Sequence, residues 1–194
     1  MNIKRIILKI KRFPSKLVNR VILKIRRIQY GANFVAYGTL FIRGTGKILI
    51  GDNVTIISCR ETNPIGGDTK TILHAHENGL ISIGNNAGMS NVTIVSRNLV
   101  TIEDDVFIGG SCKIYDNDFH PLNYEQRIST PNDSIASKPI TIKRGAFIGA
   151  HSIILKGVTI GEKSIIGAGS VVTKSVPDGE IWGGNPARFI KKIN

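Results

Sequence analysis

The residues best suited to proton chemistry lie in one short run, Asp116-Asn117-Asp118-Phe119-His120-Pro121. Imidazole titrates near neutral pH, so His120 is suited to act as a general base that takes a proton from a weak nucleophile such as an alcohol. Pro121 fixes the local backbone and biases Phe119 and His120 toward an extended form. Asp116 and Asp118 are close enough in sequence for one carboxylate to accept from the second ring nitrogen and hold the tautomer. Both are equally suited to making turns. His74, His76 and His151 are read as polar surface or packing groups, because the chain has no H-x4-H pair, and no metal site is expected. Cys59 and Cys112 form neither a disulfide framework nor a CxxC pair, so they are read as small buried hydrophobes in a reducing compartment.

What must hold His120 in place is legible in the spacing of the aliphatic residues. Ile142, Ile148, Ile154, Ile160, Ile166 and Val172 recur every six positions, and the same frame returns at Ile102, Ile108 and Ile114, at Ile50 and Ile56, and at Ile83 and Met89. A helix needs a period of 3.6 and an ordinary strand a period of 2, whereas six is the repeat of a β-solenoid. Three repeats close one triangular coil, with the aliphatic residue of each pointing inward onto a ladder of equivalents. Glycines that follow the stacked residue, such as Gly149, Gly161 and Gly167, are expected to serve corners with costly φ values. A narrow prism also suits an aromatic content of 6%. The frame breaks twice, at 58–79 and at 115–139; the second break is a long polar excursion that carries His120, and long loops on compact scaffolds are commonly functional.

The 194 residues, 41% of them hydrophobic, suffice for one globular domain, and no apolar run approaches the length of a transmembrane helix. The net charge of +12 is concentrated at one end. Residues 1–30 hold ten basic side chains and no acidic one, which leaves 16 basic against 14 acidic residues in the remainder. Ile3, Ile6, Ile7 and Ile10, then Leu17, Val21, Ile25 and Ile28, follow an amphipathic helical period, which Pro14 is expected to break into two short helices. Such a segment can lie on an anionic membrane surface or pack on its own domain or a neighbouring subunit. No aromatic interleaving or recognised module points to nucleic acid. The expected organisation is an extension over 1–30 and a solenoid domain over 31–194.

From about residue 45 to 192 the chain resembles the hexapeptide-repeat acyltransferases, in particular sugar O-acetyltransferases of the galactoside and maltose type and their relatives in capsule, exopolysaccharide and O-antigen pathways. The resemblance rests on the repeats, the loop His-Pro and the Gly-Asn-Pro-Ala-Arg ending at 184–188. The spacing leads to an all-β solenoid with a protruding loop and an N-terminal α-helical extension; the resemblance implies that the solenoid is a left-handed parallel β-helix, assembled as a homotrimer that binds acetyl-CoA between subunits. The family's catalytic histidine falls on His120, and its cofactor contacts fall on Ala150, Ala168, Thr173, Lys174, Arg188 and Lys191. Where the galactoside and maltose enzymes read Ala-Asn-Phe at the acceptor, this chain reads Gly88-Met89-Ser90-Asn91, which leaves Ser90 or Asn91 to supply the polar group. The implied activity is acetyl-CoA-dependent O-acetylation of a sugar in a cell-surface polysaccharide or its lipid-linked precursor, in the cytoplasm and peripheral at the inner face of the membrane. N-acetylation of an amino sugar, acetylation of an antibiotic, and a noncatalytic trimeric scaffold are the alternatives.

Overall fold

The period of six turns directly into geometry. In the computed structural model, which describes residues 3–63, 65–66, 69–129 and 134–193 and side chains from Pro14 onward, successive repeats fall on three sheets in rotation. The first sheet stacks β1 (Gln29–Tyr30), β4 (Lys47–Ile50), β7 (Leu80–Ile83), β10 (Leu99–Ile102), β13 (Ile140–Ile142) and β16 (Thr159–Ile160). The second stacks β2 (Val35–Tyr37), β5 (Thr55–Ile57), β8 (Gly88–Ser90), β11 (Phe107–Ile108), β14 (Phe147–Ile148) and β17 (Ile165–Ile166), followed by β19 (Glu180–Gly184) and β20 (Ala187–Lys192). The third stacks β3 (Phe41–Arg43), β6 (Ile72–Ala75), β9 (Thr93–Ser96), β12 (Lys113–Tyr115), β15 (Ile153–Leu155) and β18 (Val171–Val172). Every pairing is parallel except β19 with β20.

The core is three ladders of in-register aliphatic residues. Ile50, Ile83, Ile102, Ile142 and Ile160 run down the first sheet. Ile56, Met89, Ile108, Ile148 and Ile166 run down the second, and Ile42, Leu73, Ile94, Ile114, Ile154 and Val172 down the third. All are buried. The rings stay outside: Phe41, Phe107 and Phe147 are exposed on the outer faces.

The corners obey a rule that differs from the expected one. Gly149 and Gly161 do not adopt positive φ; a Cβ on Gly149 would lie 2.5 Å from the Ala168 nitrogen and one on Gly161 2.3 Å from the Pro177 carbonyl carbon. They are glycines because the next coil passes too close for a side chain. Positive φ falls two residues later, at Asn53, Asn86, Asp105, Ser111 and His151. Asn33, Asn53, Asn86 and Asp105 then join amide to oxygen in one column, at 2.9–3.1 Å per step.

The helix α1 (Ile3–Ile25) runs continuously through Pro14, which corrects the expected division into two helices. One proline removes a single i to i−4 hydrogen bond, and the turns on both sides remain bonded. The C-terminal half also has tertiary support: Leu23 is buried in the core cluster, and Asn19 donates to Gly38 O at 2.8 Å while accepting from Leu40 N at 3.0 Å. The helix thereby lies over the first coils. Ile3, Ile6, Ile7 and Ile10 lie outside the described side chains.

The earlier break in the frame is shorter than expected. The chain leaves the prism after Ile57 and has rejoined it at β6, because Ser58 and Thr71 bond to each other across the base of the excursion. Cys112 is fully buried, and burial pushes its thiol up to about 11, so it is an inert core residue. Cys59 corrects its expectation: it is half-buried in this excursion, with Sγ 2.9 Å from Thr62 Oγ1.

Candidate active site

The His120 excursion rises from the corner that links the third sheet to the first, between β12 and β13. Its base is zipped shut. Asp118 N donates to Ala136 O at 3.1 Å and Lys138 N to Asp116 O at 2.8 Å, and Asn117 bridges to Ser137. Beyond that base a short helix, α2 (Tyr124–Ile128), is capped by the Asn123 side chain, which accepts from Gln126 N.

Directly ahead of His120 the backbone is not extended. Phe119 has φ +62°, and His120 N donates to Asp118 O at 2.7 Å, an i to i+2 bond that makes Phe119 the centre of a γ-turn of the rare, strained hand. The proline restricts only the residue immediately before it, so it does not control Phe119. Two local contacts hold the turn: the Asn117 side chain accepts from Phe119 N at 3.0 Å, and the Phe119 ring meets Tyr115 edge-on at 5.0 Å. Strain of this kind persists only where surrounding contacts over-determine it, and it concentrates at functional sites.

The two aspartates have separate surroundings. Asp116 is fully buried, and its carboxylate accepts from Ser96 Oγ, Arg97 N, Asn98 N and Asn117 Nδ2 at 2.8–3.0 Å. It ties the loop base to the coil below. Asp118 pairs through Oδ1 with Lys156 Nζ at 2.5 Å, while its buried Oδ2 has no partner among the described residues. Lys156 was missed by sequence reasoning. The available signal was register: Leu155 pairs with Tyr115, which brings the next residue up to the loop base.

The expected cofactor residues divide between two corners. Ala150 and Ala168 lie on the corner between the second and third sheets, in a column with Gly109: Gly169 N bonds to Ala150 O, and a Cβ on Gly109 would collide with Ala150. Thr173 and Lys174 follow β18 on the corner of the His120 loop, one coil beyond Lys156, and both are exposed. Arg188 and Lys191 are exposed on β20. Ala150 and Lys156 are separated by one strand crossing, up to about 20 Å of extended chain. One chain therefore does not gather the whole set at a single point.

Of the expected acceptor residues, Ser90 is half-buried beside an apolar hollow lined by Thr55, Ile57, Phe107 and Phe147, which the missing side chain of Gly88 helps to open. The Asn91 amide is committed within the chain: its oxygen accepts from Asn63 Nδ2 at 2.9 Å and its nitrogen donates to Thr69 O. Met89 is in the core.

Comparison with known proteins places this geometry. The family described as bacterial transferase hexapeptide (six repeats) matches residues 139–174, and the hexapeptide repeat of succinyl-transferase matches residues 99–114. AntD, an N-acyltransferase from Bacillus cereus solved with dTDP and coenzyme A, is 27% identical over 90% of this chain and 89% of its own, with a TM-score of 0.71. The chain thus carries, over these two segments, the repeats of the hexapeptide transferase models. The polySia-specific acetyltransferase NeuO is 26% identical over 85% of this chain and 81% of its own, with a TM-score of 0.59. VCA0836 from Vibrio cholerae, solved with acetyl coenzyme A, is 24% identical over 100% of this chain and 91% of its own, TM-score 0.62, and shares the fold. No curated protein matches the sequence. The fold of the chain is the left-handed parallel β-helix.

Proposed function

We propose that the protein is an acyltransferase that moves an acetyl group from acetyl-CoA to a sugar hydroxyl of a cell-surface polysaccharide or its precursor. His120 removes the hydroxyl proton as the oxygen attacks the thioester carbonyl, and the thiolate of CoA leaves. The observation that carries this reading is the strained γ-turn at Phe119, which fixes the backbone of His120 at the mouth of a zipped excursion. Lys156 and Asp118 act as positioning residues beneath it. Ala150 and Ala168 leave room for a pantetheine arm along their corner, and Thr173, Lys174, Arg188 and Lys191 supply polar and cationic partners for the rest of the cofactor. Ser90 is the nearer of the two acceptor candidates to open space. The likeness to AntD supports a second reading on the same site, with an amine of an amino sugar as nucleophile.

The division of these residues between two corners supports a homotrimer, in which the loop corner of one copy meets the alanine corner of the next. Phe107 and Phe147, adjacent in register and about half exposed, offer that neighbour an apolar strip. The extension over 1–30 serves to bring the catalytic unit to an anionic membrane surface. Its face toward the prism carries Asn19, Ile22 and Leu23, and Ile28 of the expected stripe is buried in the core just beyond the helix, whereas Leu17, Val18, Val21 and Ile25 are exposed, Ile25 at 73%. With ten basic residues and no acidic one beside it, this stripe suits an anionic headgroup layer.

Radiolabelled acetyl-CoA, incubated with purified protein and panels of sugars, amino sugars and their nucleotide- and lipid-linked forms, tests the activity. His120→Ala is expected to lower turnover by about 10²- to 10⁴-fold with CoA binding retained. Near-native turnover in that variant removes His120 from the mechanism.

A further inference from the structure

Two histidines that the catalytic reading leaves unused lie in a column of basic groups below the His120 excursion. Arg43 pairs in register with His74, on the outer face of the third sheet; His76 follows β6, and its N–H bonds to Ser96 O, just before Arg97. Asp116 and the loop base come one coil later. The imidazoles of His74 and His76 are stacked at 4.2 Å. Gly44 makes room for them: a Cβ there would lie 2.9 Å from the His74 ring and would overlap Ala75 O. Arg26, at the end of α1, extends the column by donating to Gly44 O at 3.1 Å.

Positive charge here is not neutralised internally. The ion pairs among the described residues all lie elsewhere and include none of Arg26, Arg43 or Arg97. The acidic groups in reach are Asp116, whose carboxylate is taken by four donors, and Glu77, which is exposed beside His76. Burial, and then neighbouring cations, hold both imidazoles below their usual 6.5. An arriving anion would reverse that balance and recruit two more charges and up to four ring donors.

We propose that this corner binds the diphosphate of the acceptor, so that the substrate is a sugar carried on a diphosphate rather than a free sugar. The spacing favours that group. Arg43 and His74 share one register column, and His76 and Arg97 lie two residues further along on rungs about 4.8 Å apart, so that arginines flank the stacked imidazoles on both sides, a spread that the several oxygens of a diphosphate suit. The attached sugar then falls at the next rung, at the base of the excursion that carries His120. This assignment rests on the acyltransferase reading for its role, but not for its detection.

The test uses inorganic pyrophosphate as probe, at low salt, with the full-length protein and imidazole C–H resonances of its four histidines assigned by His→Gln variants. Pyrophosphate is expected to raise the midpoints of His74 and His76 by about one pH unit and to leave His151 unmoved, since an anion favours the charged form. Arg43→Gln with Arg97→Gln should weaken binding at least tenfold without changing Tm. A nucleoside diphosphate and a short-chain isoprenyl diphosphate in micelles then compete with pyrophosphate. Tighter binding by one names the carrier, and equal binding means that the diphosphate alone is read. If neither histidine moves by about 10 mM pyrophosphate, or if CoA displaces it from the same residues, the assignment to the acceptor is overturned. Acetyl transfer to a free sugar, unaffected by the arginine substitutions, would overturn it while leaving the catalytic reading intact.

Discussion

A buried carboxylate that accepts four hydrogen bonds, two of them from backbone N–H groups, is an anchor, and this sets Asp116 apart from Asp118 two residues on. Asp116→Ala is expected to destabilise the fold by about 2–3 kcal/mol, because Arg97 and Asn98 lose their acceptor, while Lys156→Met lowers turnover with little change in Tm. Thermal unfolding alongside turnover separates the two. His74 and His76 add a pH dependence with a definite sign. Their folded midpoints are depressed by burial, so the neutral forms favour the native state. Stability is complete above 6.5 and declines as pH falls through the lower folded values. Denaturant midpoints measured from pH 7.5 to 5 should fall, and the fall should flatten in a His74→Gln, His76→Gln double variant. At this scale the sequence singles out His120 as a candidate through its type and its proline, but not Lys156 or the Phe119 turn. Both depend on which residue stands beside which across coils, and spacing along the chain does not report that.

At the scale of the element, α1 divides its surface between two tasks. Asn19 and Leu23 dock on the prism, and Leu17, Val18, Val21 and Ile25 turn away. Asn19→Ala should lower Tm by leaving Leu40 N and Gly38 O without partners, at about 1–3 kcal/mol. Leu17→Gln with Val21→Gln and Ile25→Gln should leave Tm in place and abolish co-sedimentation with anionic liposomes at low salt. Loss of Tm in the triple variant, or full-length protein that ignores such liposomes, would show the stripe to be structural. The six-residue period revealed the strands almost completely, since each inward aliphatic residue repeats its neighbours' role. It was silent about the helix beyond its polarity, and it overrated Pro14, whose cost is local while the support of the helix comes from tertiary contacts.

At the scale of the whole molecule, the proposed homotrimer would make activity a property of an assembly. Light scattering is expected to give about three chains per particle. Phe107→Asp with Phe147→Asp should yield monomers that remain folded, by circular dichroism, and lack turnover; an active monomer would contradict the shared site. The sequence implies a homotrimer only through resemblance, because the repeat dictates how a chain closes on itself and leaves its outer faces unspecified.

The antiparallel return of β20 onto β19 has one more effect. Stacked parallel rungs carry no intrinsic length, and the last rung of such a column presents open backbone groups that a further rung, from any molecule, can continue. Here the chain fills that place itself on the second sheet, with strands of opposite direction that no parallel rung can extend in register. Five exposed positions, Arg188 to Lys192, finish the edge. That end of the second sheet is thus closed to parallel continuation along the axis.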